Sequence, residues 1–159
     1  MTLNKILKYW LPVFLWMALT FLMSTGMFTS ENTSRIIVPL IRFLFPSATP
    51  HQITIAHEIV RKLAHVTEYF LLGLLLFRAF KSDSTGPTVW RFAIYALAVV
   101  ALYALTDEFH QTFVLGRTPS IVDVGIDTFG GFLAQCVSIT WFHFRKSHPR
   151  AVRYSSGGV

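Results

Sequence analysis

Charge is scarce in this sequence. Asp, Glu, Lys and Arg make up 14% of its 159 residues, while hydrophobic residues make up 53%. A soluble domain carries roughly a quarter of charged residues, so an ordinary water-soluble globule is excluded as the first reading. Cysteine is nearly absent too. The single Cys136 excludes an intrachain disulfide and leaves the redox compartment unread. Its place inside an apolar run predicts a small buried hydrophobe. No serine or cysteine stands in a nucleophile motif, and the metal signature H-E-x-x-H does not occur. Acids are fewer than bases, 8 against 14, and the net charge is +6. In a chain this apolar, that excess is ascribed to membrane orientation and anionic headgroups rather than to nucleic acid.

What is present is a set of long apolar runs. They fall into four blocks separated by Lys, Arg, Gly and Pro, with spans expected at about 9–27, 57–80, 90–111 and 121–144. The expected fold is all-α: one domain over residues 1–159, an integral membrane bundle of four transmembrane helices. The first run, Tyr9 to Met27, exceeds the roughly 7–15 apolar residues of a signal peptide and is read as a span. Pro12 lies near its start, where a missing N–H costs least. The stretch from Ser34 to Phe45 is apolar but too short to cross. It predicts a short interfacial helix capped by Ser34, with Arg35 and Arg42 toward headgroups; a re-entrant loop is the alternative. Thr49 and Pro50 suit the N-cap and first position of a helix running from about His51 into Phe80. A polar turn follows between Arg78 and Arg91, and a basic, then Ser/Gly-rich tail runs from Arg145 to Val159.

Three polar clusters interrupt the apolar pattern. In the second span Lys62, His65 and Tyr69 share a helical face with Glu58 and Gly73, while His57, Arg61 and Glu68 form a neighbouring stripe. At the end of the third span Tyr103, Asp107, His110 and Gln111 share a face, with Glu108 about 100° away. Gly116 and Arg117 occupy the next connection. Ser120-Ile121-Val122-Asp123 fits a capping box with Asp in place of Glu. Asp123, Asp127, Gly130 and Ala134 then form a stripe on which another helix backbone can approach closely. Ionisable groups at membrane depth are costly, which makes them functional candidates.

Charge bias orients the chain. One side holds Lys5, Lys8, Arg78, Lys81, Arg91, Arg145, Lys146, Arg150 and Arg153. The other holds Arg35, Arg42, Arg61, Lys62 and Arg117. The excess marks the first side, with both termini, as cytoplasmic. All three polar clusters then meet near the opposite, extracytoplasmic face.

The pattern Lys62-x-x-His65-x-x-x-Tyr69, Asp107-Glu108-x-His110-Gln111-x-Phe113, Gly116-Arg117 and Asp123-x-x-x-Asp127-x-x-Gly130 resembles the VanZ-like family, named for a protein associated with teicoplanin resistance. The likeness covers Lys62 to Ala134 in its motifs and the four-span layout as a whole. Asp127 departs from the pattern, standing where many relatives carry Asn. The resemblance implies a bacterial inner-membrane protein with a cell-envelope role, possible effects on glycopeptide susceptibility, and no particular reaction.

Three readings of the clusters stay open. They are structural if Lys62 and Arg117 neutralise Asp107, Glu108, Asp123 and Asp127 and so hold the bundle. They are catalytic if His65, Asp107, Glu108, His110 and Tyr69 carry acid/base chemistry, with Lys62, Gln111, Arg117, Asp123 and Asp127 binding substrate. They bind or pass ions without reaction in the third, although four spans make a thin pore and no inverted repeat is evident. The expected substrate is an amphipathic anionic envelope molecule: a lipid-linked glycan, a peptidoglycan precursor or a phospholipid. Membrane lipids are the other expected partners, and nucleic acid is not. No metal site is assigned, because the Asp107-Glu108-x-His110 spacing does not match H-E-x-x-H and the cations compete for the acids. Cofactor and oligomeric state are not read. Cysteine reporters placed at Ser84 and Ser155 are expected to resist an impermeant label applied outside intact cells. Labelling of either would reverse the orientation and move the site to the cytoplasm.

Overall fold

A computed structural model of the chain describes residues 2–25, 29–82 and 89–147. These residues form helices joined by short connections, four of them long and apolar enough to cross a membrane. The chain is thus a multi-pass membrane protein. The helices are α1 (Leu3–Met23), α2 (Ser30–Leu44), α3 (Pro50–Lys81), α4 (Val89–Gln111) and α5 (Ile121–Ser147). Most of the polar turn before Arg91 and most of the C-terminal tail lie outside the described residues, as does the end of the expected first span near Met27.

Cross-helix contacts fix the topology. Between α3 and α5, Lys62 meets Asp123, His65 meets Asp127 and Lys81 meets Phe142, so the two helices run parallel. α4 runs opposite to both, since Glu108 at its end meets Ser120 at the start of α5. α1 is antiparallel to α3: Arg78 Nη2 lies 3.4 Å from the Lys8 carbonyl, and Trp16 Nε1 donates to the Glu68 carbonyl at 2.9 Å. The C-termini of α1 and α4 and the N-termini of α3 and α5 therefore share one end of the bundle.

Local chemistry explains the helix ends. Thr49 caps α3 through a reciprocal pair with Gln52, and Pro50 opens the first turn, as the sequence predicts. α2 begins earlier than expected. Its N-cap is Thr29, whose hydroxyl accepts from the Asn32 N–H at 3.3 Å; Ser34 lies inside the helix. Pro12 has no N–H to offer the carbonyl one turn earlier. The stretch Ile6–Trp10 before it is wound as a π-helix, and Arg78 reaches the Lys8 oxygen that Pro12 leaves unserved.

Small residues hold α3, α4 and α5 together. A Cβ on Gly130 would lie 2.5 Å from the Val66 carbonyl oxygen, and one on Gly73 would lie 2.8 Å from Ala134 Cβ. Gly131 faces Val100 of α4 as closely. In a bilayer, such close approach supplies the association that water supplies elsewhere. Gln135 Nε2 donates to the Gly73 and Gly131 carbonyls at 3.2 Å, across the same contact. Large apolar side chains such as Phe14, Leu63, Ile94, Leu102 and Phe132 face outward, as lipid requires. Cys136 is among the exposed residues, contrary to the expectation of burial. Its neighbour Gln135 takes the inward position, which turns Cys136 away from the packed face.

At 1.5 Å per residue, α3 is about 48 Å long, well beyond the roughly 30 Å hydrocarbon core. Because Lys8 aligns with Arg78 and Trp16 with Glu68, the excess projects past the end of α1. There α2 packs beside it, with Thr33 Oγ1 3.3 Å from His57 Nε2.

Gly130→Ala is expected to destabilise the detergent-solubilised protein by about 1–3 kcal/mol, because backbone blocks the new methyl. Gly125→Ala meets nothing within 4 Å and is expected to be neutral or stabilising by under about 1 kcal/mol. Thermal melts of the two variants check this; equal midpoints would contradict so close an α3–α5 contact.

Candidate functional site

The shared helix ends enclose a cavity of about 160 Å³. α1 contributes Thr20, Met23 and Ser24; α2 contributes Thr33 and Ile37. α3 contributes Val60, Arg61, Ala64, His65, Glu68 and Tyr69, while Asp107 and Arg117 come from α4 and the connection after it. The volume equals roughly five waters at about 30 Å³ each, enough for a phosphate or carboxylate group and too small for a sugar chain.

At its wall stands an acid–imidazole pair. Asp127 is wholly buried, and its Oδ1 lies 3.1 Å from His65 Nδ1. With Nδ1 engaged, Nε2 is the ring nitrogen left for the cavity side. The pair is set by backbone packing, since Asp127 is one turn from Gly130 and His65 precedes the Val66 carbonyl that Gly130 touches. Next to it the Tyr69 hydroxyl, Asp107 Oδ1 and Ser24 Oγ are buried without a protein hydrogen-bond partner. Each belongs to a cavity-lining residue, so unspent hydrogen-bonding capacity is concentrated there.

Arg117 arrives by a special turn. Gly116 has φ 80°, the left-handed region that glycine enters without cost. Arg117 then donates from Nη2 to the Met23 carbonyl at 3.0 Å, closing the end of α1. Burial pulls its guanidinium below the ordinary value, and the nearby Arg61 charge pulls in the same direction; Asp107, Glu108 and Glu68 oppose them. Arg61 itself lies 3.6 Å from Glu58.

The other residues singled out from sequence take different places. Gln111 Nε2 donates to Asp107 Oδ2 at 3.2 Å and so orients a cavity acid from behind. Glu108 Oε2 accepts from the Ser120 N–H at 2.7 Å, tying the end of α4 to the start of α5. Glu108 thus takes the place of Asp123 in the expected capping box, while Asp123 lies 3.8 Å from Lys62 Nζ. Lys62 and Asp123 are partly exposed and line no part of the cavity. His110 packs its ring on Phe21 of α1, with centroids 4.4 Å apart, and does not reach the cavity. Asp127 stands one residue behind it, through His65. Of the expected set, His65, Tyr69, Asp107 and Arg117 line the cavity directly.

Sequence reasoning placed Arg61 and Glu68 on a secondary stripe and did not weigh Thr20, Ser24 or Thr33. The signal for the first two was present, because a helix covered by α1, α2 and α4 together has an inward arc wider than one stripe. Among the described residues, no three of His, Cys, Asp and Glu converge as metal ligands.

The fold and cavity together define a four-span membrane protein with a pocket at one end of its bundle whose lining includes Arg61, His65, Glu68, Asp107 and Arg117. The chain belongs to the VanZ/LLP1 family, whose family model matches residues 9–144. Comparison with curated proteins and with solved structures returns no match.

Glu108→Ala is expected to cost about 1–3 kcal/mol, because it strips the partner from a half-buried backbone N–H. A double-mutant cycle on Lys62 and Asp123 is expected to give a coupling under about 1 kcal/mol, since both are solvent-accessible. Denaturation in detergent measures both; a large Lys62–Asp123 coupling would return that pair to the bundle-holding machinery.

Proposed function

We propose that the cavity binds the anionic group of an amphipathic cell-envelope molecule and exchanges a proton with it. The molecule belongs to the class of lipid-linked glycans, peptidoglycan precursors or phospholipids, with its bulk outside the pocket. The observation that carries this reading is the His65–Asp127 pair: a fully buried carboxylate 3.1 Å from an imidazole that lines the cavity. A carboxylate so placed fixes the ring's tautomer and orientation and supports a positive charge on it when it takes a proton at Nε2. Arg61 and Arg117 supply the anion contacts, and the Tyr69 hydroxyl supplies a donor. In this reading the protein resides in the bacterial cytoplasmic membrane with both termini inside, and the cavity opens toward the extracytoplasmic side. α2 lies in the interface, with Arg35 and Arg42 at headgroup level.

A second reading keeps the protein as a non-catalytic binding or scaffold protein whose polar cluster holds the bundle. The Glu108–Ser120 and Gln111–Asp107 bonds favour it for those residues, which are spent on helix ends. It gives no role to the cavity face of His65.

The two readings separate on His65→Asn. The Asn amide places its N–H where Nδ1 stands, so it can donate to Asp127 and spare the fold, but it cannot exchange a proton near neutral pH. His65→Asn and Arg117→Gln are expected to insert and fold yet fail in an envelope assay such as glycopeptide susceptibility. Wild-type performance by both folded variants would sink the proposed site and leave the scaffold reading.

A further inference from the structure

The end of the bundle opposite the cavity has its own concave site. α3 and α5 run parallel, so their C-termini lie together there, beside the first turns of α1. Between them a groove of about 490 Å³ is lined by Arg78, Lys81 and Arg145, by the Tyr9 and Trp141 rings and by Ser138. Helix C-termini attract cations, which explains a basic residue at the end of each helix. It does not explain why three from two helices converge on one groove.

Their setting is specific. The Arg78 guanidinium lies 5.2 Å from the Tyr9 ring centroid, and that of Arg145 lies 5.2 Å from the Trp141 ring. Lys81 Nζ stands 4.5 Å over Phe142. A guanidinium held against a ring keeps its N–H edge free to donate in plane, the geometry that grips a phosphate. Among the described residues, no carboxylate forms an ion pair with Arg78, Lys81 or Arg145. The sequence has 8 acids, and all but Asp83, which is outside the described residues, lie in the half of the molecule that holds the cavity. The deeper wall is apolar. Leu74 and Phe77 line it alongside Ser138, about 10 Å along α5 from Arg145.

We propose that this groove binds an anionic phospholipid of the phosphatidylglycerol type. Arg78, Lys81 and Arg145 hold the phosphate, and the start of an acyl chain runs along Leu74 and Phe77. A zwitterionic lipid would bring its ammonium among three cations and is disfavoured. A free phosphate ester would gain the charges but leave the apolar wall unfilled. Basic pockets between transmembrane helices are suited to such headgroups. The inference stands apart from the reading of the cavity, which lies at the other end.

The test uses the full-length protein in neutral detergent, titrated with phosphatidylglycerol, phosphatidylethanolamine or glycerol phosphate at matched ionic strength, with the thermal midpoint as readout. Only phosphatidylglycerol is expected to give a saturable rise. Its apparent affinity should fall about fivefold for each cation removed in Arg78→Gln, Lys81→Gln and Arg145→Gln, and should be unchanged in Lys62→Gln, at a position that lines neither the groove nor the cavity. Arg145→Gln alone suffices if the others fail to fold, because Arg145 is exposed and rests on the exposed Trp141. An equal rise with phosphatidylethanolamine would overturn the headgroup assignment, and an equal rise with glycerol phosphate would overturn the lipid. An unchanged affinity in folded Arg145→Gln, or a loss confined to Lys62→Gln, would move binding away from the groove and overturn the proposal.

Discussion

The contact of Gly130 with the Val66 carbonyl is the constraint on which the rest depends. No side chain fits between these backbones, so α3 and α5 are locked at one separation and one register. His65 and Asp127 are each about one turn or less from that contact. Their 3.1 Å approach is therefore set by packing and does not have to be won from electrostatics. This matters in a low-dielectric interior, where a charge pair held only by mutual attraction struggles to offset its own desolvation. Here the backbone contact brings the carboxylate in, and the imidazole then compensates it.

Charge geography follows from the same frame. Parallel α3 and α5 place their N-termini together at one end and their C-termini at the other. Asp123 in the first turn of α5, and Arg78, Lys81 and Arg145 in the last turns of α3 and α5, are placed in keeping with the helix dipoles; Asp107 and Glu108, at the C-terminal end of α4, are placed against its dipole. Pro12 adds a link between sequence and packing at the basic end. By withholding an N–H it leaves the Lys8 carbonyl to Arg78, and the π-helical stretch that precedes it sets Tyr9 against the same guanidinium.

Much of this was legible in the sequence because it rests on local rules. Run length gave the four spans, Thr49 and Pro50 gave a helix start, and periodicity gave the inward stripe of Asp127, Gly130 and Ala134. What was not legible depended on partners far along the chain. Glu108 looked like a site acid because spacing cannot display the backbone N–H of Ser120 that it serves. His110 shares a helical face with Asp107, but Phe21 of α1 covers it. The N-cap of α2 was expected at Ser34 and lies at Thr29, because Thr29 rather than Ser34 receives the first-turn N–H of Asn32. The approach of Thr33 to His57 of α3 is a contact no local rule contains. Lys62 sits at the edge of its stripe, where one side of the helix is already outside the bundle.

The two arginines of the cavity carry the argument one step further. Arg61 and Arg117 line the same small space, and each charge raises the cost of the other. Nearby carboxylates reduce that cost: Asp107, Glu108 and Glu68 all favour the charged form of Arg117. Glu58 sits on the Arg61 side at 3.6 Å, Glu108 holds Ser120, Asp107 is oriented by Gln111, and Asp127 belongs to His65. A bundle that needed only cohesion would gain by replacing one guanidinium with an apolar side chain. Both are retained, with a glycine at φ 80° to deliver the second. Two guanidiniums lining one small space are the feature on which the proposal of a bound anion rests.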